Sequence, residues 1–143
     1  MLKNLVNNKL VAVEPGTKVV DVCRLMAKEG VGCVLVLQDC KPKGLVTDRD
    51  IVVHCLAEGH DSRECLVDEV MSTDLQVVEE TDGIFDCIRA MKAAKVRRIP
   101  VVDAKGDAVG IISFGDIARV LSKEFAELTE TTTQDVRIER LAA

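Results

Sequence analysis

Two hydroxyl–carboxylate pairs with the same spacing are the side chains of this 143-residue chain best suited to binding chemistry. Thr47 stands three residues before Asp50, and Ser113 stands three residues before Asp116. Each pair follows a glycine and two apolar residues, a pattern that predicts a buried strand leading directly into a helix. At such a helix start, backbone N–H groups can bind an anion, and a carboxylate can accept both hydroxyls of a ribose. The pairs therefore suggest nucleotide sites.

The same two pairs could instead act as helix caps. A Ser or Thr followed three residues later by an acidic residue forms a capping box, in which the hydroxyl and the carboxylate satisfy backbone N–H groups. Capping boxes favour Glu or Gln at the acidic position, whereas Asp50 and Asp116 are both aspartates. This difference shifts the balance toward binding, but the capping role stays open.

Arg97 and Arg98 lie immediately before a short apolar run that predicts a buried strand. A guanidinium offers two parallel donors to a phosphate, although two long side chains reaching the surface would also be an ordinary arrangement. The first copy of the pattern has Gly32 and Cys33 at these positions. We therefore expect one cleft to bind a phosphorylated nucleotide, with its phosphates between the arginines and the helix start at Ser113. The other cleft should be weak, different or empty.

The motifs belong to a segment that occurs twice, with its second copy about 65 residues after the first. The residues Val13, Asp21, Arg24 and Met26 recur as Val78, Asp86, Arg89 and Met91. An internal repeat predicts two like units that can pack about a pseudo-twofold axis and leave paired clefts between them.

Hydrophobic periodicity predicts the order β-α-β-β-α in each unit, which is an α+β fold. The predicted strands are 10–13, 31–37 and 44–47 in the first unit, and 75–78, 99–102 and 109–113 in the second. The predicted helices carry apolar stripes at 19–26 and 84–91, and two more run from Asp48 to about Ala57 and from Phe114 to about Phe125. These elements divide the chain into a first repeat (1–60), a linker (61–67), a second repeat (68–125) and a tail (126–143). The tail could be helix, strand or frayed chain.

Composition excludes several classes of protein. The net charge of -5 argues against general nucleic-acid binding, which needs a basic face. No apolar stretch is long enough to span a membrane and no signal peptide is apparent, so we expect a cytoplasmic protein. The six cysteines are then expected to be thiols.

Metal binding and catalysis have weaker support in the sequence. His54, Cys55, His60 and Cys65 are possible zinc ligands, but their spacing is unlike that of structural zinc sites. The two histidines are the only side chains that normally titrate near neutral pH, and both lie outside the repeated motif. We therefore expect neither a metal site nor an enzyme.

The doubled unit resembles the CBS domain family, named for cystathionine β-synthase. The resemblance rests on the two Gly-x-x-(Ser/Thr)-x-x-Asp motifs, on the phrase Arg97–Asp103 and on the lead-in Asp68–Ser72. It covers about residues 1–125, and it implies a stand-alone pair of CBS repeats, an arrangement called a Bateman module.

The resemblance also implies a function and a set of site residues. It implies a regulatory module that binds an adenosine nucleotide (AMP, ADP or ATP), needs no other cofactor, forms a homodimer and signals to an unidentified partner. Ribose and phosphate contacts fall on Thr47, Asp50, Ser113 and Asp116, and further phosphate contacts fall on Arg97 and Arg98. The residues expected to border the clefts and the adenine are Val11, Ala12, Val77, Val78, Ile99 and Pro100. A scaffold without ligand, or a thiol or metal sensor, are the alternatives.

Overall fold

The structure, a computed structural model, describes residues 1–6 and 10–134, with side chains as far as residue 131. The chain forms two compact units, one from Met1 to Ile112 and one from Ser113 onward. Both sheets of the fold lie essentially within the first unit, so that unit contains most of the two repeats.

The first sheet has the order β1-β2-β3 and consists of β1 (Ala12–Val13), β2 (Cys33–Gln38) and β3 (Lys41–Thr47). Strand β1 runs parallel to β2, and β2 runs antiparallel to β3. Helix α1 (Val19–Glu29) joins the parallel pair, and β3 leads directly into α2 (Asp48–Ile51). The predicted β-α-β-β-α order is confirmed in this repeat.

The second sheet repeats this plan. A short helix, α3 (Val67–Val70), precedes strand β4 (Val78–Glu79), and helix α4 (Ile84–Ala94) joins β4 to the parallel strand β5 (Arg98–Val102). Strand β6 (Ala108–Ser113) lies next to β5, which gives the order β4-β5-β6. The α+β fold with two tandem repeats is therefore confirmed.

Two helices differ from the sequence prediction, one in its type of turn and the other in its length. Helix α2 passes after Ile51 into a π-helical turn, Val52–Leu56, in which the N–H of Ala57 donates to the carbonyl of Val52 at 2.9 Å. Helix α5 (Phe114–Gln134) continues well beyond the expected end near Phe125, because no Gly or Pro follows Gly115 within it. The first part of the predicted tail is therefore helical, and residues 135–143 lie outside the described part.

The core of the first sheet is aliphatic, as the lack of Trp and Tyr requires. Val34 and Val36 of β2 and Val46 of β3 are fully buried, and Val19 and Val22 of α1 cover them. Burying each such side chain contributes about 1.5–3 kcal/mol relative to leaving it exposed. Within the described residues, no helix is both long and apolar enough to cross a membrane.

The start of the second repeat packs on the first repeat. Val67 and Val70 of α3 belong to the buried cluster around α1, β2 and β3. The N–H of Val67 donates to the carbonyl of Thr17 at 2.8 Å. Leu45 of β3 and Ser72 exchange two backbone hydrogen bonds of 3.0 and 2.9 Å, as neighbouring strands do. The segment after α3 is therefore fixed along the edge of the first sheet.

The start of the first repeat makes the reciprocal contact. Leu2 is fully buried in a short 3₁₀ turn, Leu2–Asn4. Its N–H donates to the carbonyl of Asp82 at 2.9 Å, and the N–H of Lys3 donates to the carbonyl of Glu80 at 3.0 Å. Each repeat therefore places its first residues against the other, so the two repeats depend on each other for completion.

A substitution at Gly44 of β3 tests this packing, because Gly44 lies against Met71 in the segment that follows α3. A Cβ atom at Gly44 would lie 2.8 Å from Cγ and 3.2 Å from Cβ of Met71. We expect Gly44→Ala to lower the free energy of unfolding by about 1–3 kcal/mol, because the added methyl group overpacks this contact. Urea denaturation measures the change.

Met71→Ala provides the matched background for this experiment. Removing the Met71 side chain should make room for the methyl group, so Gly44→Ala should cost clearly less in the Met71→Ala protein than in the natural one. Equal losses in the two backgrounds would show that Met71 is not the cause.

Candidate functional site

Thr47 and Asp50 form a capping box at the start of α2. The N–H and the hydroxyl of Thr47 both donate to Oδ2 of Asp50, each at 2.8 Å. The N–H of Asp50 donates back to the Thr47 hydroxyl oxygen at 3.1 Å. The capping interpretation of the sequence therefore holds for this pair, and a ligand would approach an Asp50 carboxylate whose Oδ2 is already used.

The other two N–H groups at this helix start also have acceptors within the protein. The N–H of Asp48 donates to the carbonyl of Gly32 at 3.1 Å, and the N–H of Arg49 donates to Oδ1 of Asp48 at 2.8 Å. The anion site expected from the helix start is therefore filled by the chain's own oxygen atoms. A phosphate near α2 would have to be held by side chains.

Ser113 and Asp116 form the same capping box at the start of α5. The N–H and the hydroxyl of Ser113 donate to Oδ2 of Asp116 at 2.9 and 2.6 Å, and the N–H of Asp116 donates to the Ser113 oxygen at 3.2 Å. Burial disfavours the charged carboxylate, but the bonds from Ser113 and the charge of Arg119 outweigh it. The pKa of Asp116 therefore lies below its ordinary value.

A cavity of about 430 Å³ opens beside the first capping box. Three parts of the first unit form its wall: the end of β3 with the start of α2, the segment after α3, and the turn from α4 into β5. Its volume is within the range of small-molecule sites. The lining residues are Leu45, Thr47, Asp48, Arg49, Asp50, Ser72, Asp74, Leu75, Gln76, Val96, Arg97, Arg98 and Pro100.

The turn from α4 into β5 brings the arginine pair to this cavity. Helix α4 ends at Ala94 and is capped by Lys95, which has a left-handed φ of 55°. The N–H of Val96 donates to the carbonyl of Met91 at 3.0 Å. The chain then enters β5 with Arg97 exposed and Arg98 half-buried. The cavity thus combines the arginines of the second repeat with Thr47 and Asp50 of the first, a combination that the sequence did not predict.

Gly32 makes room for two charged side chains of the cavity. A Cβ atom at Gly32 would lie 3.0 Å from Oδ2 of Asp48 and 3.9 Å from Nη2 of Arg98. In the repeat register, Gly32 takes the position of Arg97. The missing side chain in one copy therefore leaves space for the charged groups that surround the cavity.

The charges of Asp48 and Arg98 both affect the pKa of the Cys33 thiol. Burial raises the pKa of Cys33, the positive charge of Arg98 opposes that increase, and the negative charge of Asp48 adds to it. The two charged groups therefore lie close enough to the first residue of β2 to act on it in opposite directions.

Several lining residues were not predicted from the sequence. Ser72, Asp74, Leu75 and Gln76 reach the cavity because Ser72 is hydrogen-bonded to the edge of β3. Asp48 lies between Thr47 and Asp50, and its role as a lining residue could have been suspected from that position. The pairing with β3 leaves no pattern in the sequence, so the other four could not have been found.

Of the six apolar residues predicted to border the clefts, one lies in the wall of this cavity. Pro100 lines the cavity. Among the described residues, the other five are not part of its wall, and Ile99 is fully buried in β5. Val78 is buried in β4, where it pairs with Val101, whereas Val77 is 43% exposed. Val11 and Ala12 lie at β1 and are half-buried.

The cysteines and histidines around the linker form a separate group. His60 and Cys65 line a smaller cavity of about 250 Å³ together with Asp61, Glu64 and Glu69. Burial, followed by hydrogen bonding to the Cys55 thiol, raises the pKa of Cys65 to about 11. Over residues 1–6 and 10–134, no group of three or more such side chains is arranged to hold a metal ion. All six cysteines are free.

Comparison with known proteins identifies the family. The CBS domain model matches residues 2–56 and 67–123, once in each repeat. The chain therefore belongs to the CBS domain family, as the motifs suggested.

Its relatives include proteins of similar length. The CBS domain-containing protein YhcV of Bacillus subtilis is 32% identical over 94% of this chain and 97% of its own length. The Methanopyrus kandleri protein MK0525 is 29% identical, and the match spans 55% of its length. A solved structure of a protein with CBS domains from Burkholderia ambifaria has a TM-score of 0.72 at 29% identity, covering 80% of this chain and 83% of that one.

A further solved structure shows the same fold at lower identity. The CBS domain pair of protein MJ0100, solved in complex with 5′-methylthioadenosine and S-adenosyl-L-methionine, has a TM-score of 0.77 at 18% identity. The match covers 87% of this chain and 97% of that one.

The capping box of α5 predicts how Asp116 titrates. Ser113→Ala removes the hydroxyl donor, so the pKa of Asp116 should rise toward its ordinary value. Because the folded pKa lies below the unfolded one, Asp116 stabilises the fold above the unfolded pKa, and this contribution is lost as pH falls through the folded pKa. An NMR titration of the Asp116 ¹³Cγ resonance measures the shift.

Ser113→Thr is the control for this titration, because it keeps a hydroxyl at the same position. It should leave the pKa of Asp116 close to that of the natural protein. If Ser113→Ala also left it unchanged, the hydroxyl would not be what depresses it.

Cys33 provides a test of the charges beside Gly32. Asp48→Asn should lower the pKa of the Cys33 thiol, because it removes a negative charge that disfavours the thiolate. Arg98→Ala should raise that pKa for the opposite reason. Titration of the Cys33 ¹³Cβ resonance measures both changes. Arg24→Ala, on the exposed face of α1, should have no effect, and shifts of the same sign in the two cavity variants would contradict the geometry.

Proposed function

We propose that this protein is a regulatory module that binds an adenosine nucleotide, of the AMP, ADP or ATP class, in the cavity beside α2. The observation that supports this most is the convergence of Arg97 and Arg98 with Thr47 and Asp50 on one cavity of about 430 Å³. These side chains supply the two recognition elements that a nucleotide needs, which are cations for phosphate and a carboxylate for ribose.

Each part of the nucleotide has a place in this proposal. The phosphate contacts the guanidinium groups of Arg97 and Arg98, since the N–H groups at the start of α2 already have acceptors. The ribose hydroxyls bind Oδ1 of Asp50, because the capping box uses Oδ2. The adenine lies against Pro100 and neighbouring apolar side chains of the wall, where aliphatic contact replaces aromatic stacking.

The second motif would bind ligand differently. Ser113 and Asp116 repeat the hydroxyl and the carboxylate, but the first repeat has Gly32 and Cys33 at the positions of the two arginines. We therefore propose that any site at Ser113 and Asp116 is weak toward phosphate, or takes an adenosine compound without one. The MJ0100 pair, which has the same fold, binds two adenosyl compounds.

Signalling in this proposal needs no catalysis. A ligand that binds one arrangement of the repeats better than another shifts the population toward it, and a partner can read that shift. Helix α5 exposes an apolar face to such a partner or to a second copy of the chain. Its exposed apolar residues are Phe114, Leu121, Phe125 and Leu128. We propose a homodimer that acts on an unidentified partner in the cytoplasm. A hexameric CBS-CP12 protein is an example of a protein with the same fold that forms a larger assembly.

Thermal unfolding with a panel of AMP, ADP, ATP, S-adenosylmethionine and NAD tests the proposal. A ligand present at 100 times its dissociation constant adds about 2.7 kcal/mol of stability, which raises the Tm by roughly 5–10 °C for a protein of this size. We expect at least one phosphorylated adenosine compound to do so. If no compound in the panel moves the Tm, the proposal is wrong.

Variants then locate the site. Arg98→Ala and Asp50→Asn should abolish most of the shift that the natural protein shows, because they remove the phosphate and ribose contacts. Arg24→Ala removes an exposed arginine of α1 that pairs with Asp21, and it should leave the shift unchanged. If Asp116→Ala removed the shift and Asp50→Asn did not, the ligand would bind at the second motif instead.

A further inference from the structure

The cavity beside α2 carries equal numbers of positive and negative side chains. Its wall contains three guanidinium groups, from Arg49, Arg97 and Arg98. It also contains three carboxylates, from Asp48, Asp50 and Asp74. A site for a highly charged anion gains from a surplus of positive charge, because like charges repel in a cleft with low-dielectric walls. Balanced charges therefore favour ligands of low charge.

Asp48 is the carboxylate that is fixed next to the arginines. Its Oδ1 accepts the N–H of Arg49 at 2.8 Å, which anchors the side chain at the start of α2. Its Oδ2 points to the space above Gly32, where a Cβ atom would lie 3.0 Å from that oxygen and 3.9 Å from Nη2 of Arg98. A phosphate bound to Arg98 would therefore have the Asp48 carboxylate nearby.

The second repeat shows that the helix cap does not need Asp48. The corresponding residue there is Phe114, and Ser113 and Asp116 form the same capping box beside it. A negative charge at position 48 is therefore not a requirement of the local fold, and its place in the wall of the cavity suggests a role in ligand choice.

We propose that the cavity selects a nucleoside monophosphate over the corresponding triphosphate, and that Asp48 is the main determinant of this selectivity. This inference rests on the proposed function. One phosphate carries about −1.5 to −2 charges at pH 7, which the arginine pair can balance, and each further phosphate adds negative charge. The additional charge of a triphosphate meets Asp48, with Asp74 in the same wall, and is disfavoured.

Isothermal titration calorimetry of the whole protein with AMP, ADP and ATP, without divalent cations, tests this order. The natural protein should bind AMP most tightly and ATP least tightly. Asp48→Asn keeps the size of the side chain and an acceptor for the Arg49 N–H, and removes the charge. We expect it to tighten ATP binding by roughly five- to tenfold and AMP binding by roughly two- to threefold at physiological salt. Asp74→Asn should act in the same direction and more weakly.

Asp39→Asn is the matched control, because it removes one negative charge from the turn at the far end of the β2–β3 hairpin. Six residues of strand separate that turn from Thr47, a distance of roughly 20 Å, which exceeds the Debye length at physiological salt. It should leave the ratio of AMP to ATP affinity unchanged.

The outcomes distinguish the two proposals. If the natural protein binds no nucleotide, the proposed function fails, and this inference fails with it. If it binds nucleotides but prefers ATP, or if Asp48→Asn leaves the ratio of AMP to ATP affinity as it was, the selectivity inference alone is wrong. Raising the ionic strength should reduce the effect of Asp48→Asn, because the interaction is between charges that solvent can reach.

Discussion

The packing of the segment after the linker onto the first sheet is the constraint on which the site depends. Val67 and Val70 are buried in the first core, and Ser72 exchanges hydrogen bonds with Leu45. These contacts fix the direction in which the chain leaves α3. Because of them, residues 72–76 form a wall of the cavity, and Gly44 must stay without a side chain where Met71 crosses β3. Folding and site assembly are therefore one event in this unit.

The start of α2 shows how capping and binding can share the same residues. Thr47 and Asp50 satisfy each other, and the carboxylate of Asp48 accepts an N–H that a phosphate could otherwise use. The N–H groups of the helix start thus have acceptors within the chain, and the attraction for an anion comes from Arg98 and its neighbours. Capping and ligand binding are not exclusive roles, since a cap that engages one oxygen of a carboxylate also orients the other.

The two copies of the repeat differ at positions that carry charged side chains in one copy and uncharged residues in the other. Gly32 replaces an arginine in the first copy, and Phe114 replaces Asp48 in the second. The backbone plan and both capping boxes survive these exchanges, because they depend on apolar periodicity and on the hydroxyl–carboxylate spacing alone. The electrostatic character of each motif is therefore free to differ, and the cavity beside α2 holds both the arginine pair and Asp48.

The sequence by itself determined the repeat, the order of the strands and helices, the aliphatic core and the hydroxyl–carboxylate spacing at both helix starts. Each of these follows from residues close together in the chain, through periodicity and local hydrogen bonds. Only the tertiary structure decided that Arg97 and Arg98 share a cavity with Thr47 and Asp50, and that Asp74 and Asp48 line it. The physical reason is that the contacts between Leu45 and Ser72 join segments far apart in sequence, and backbone pairing of that kind leaves no pattern in the residue types.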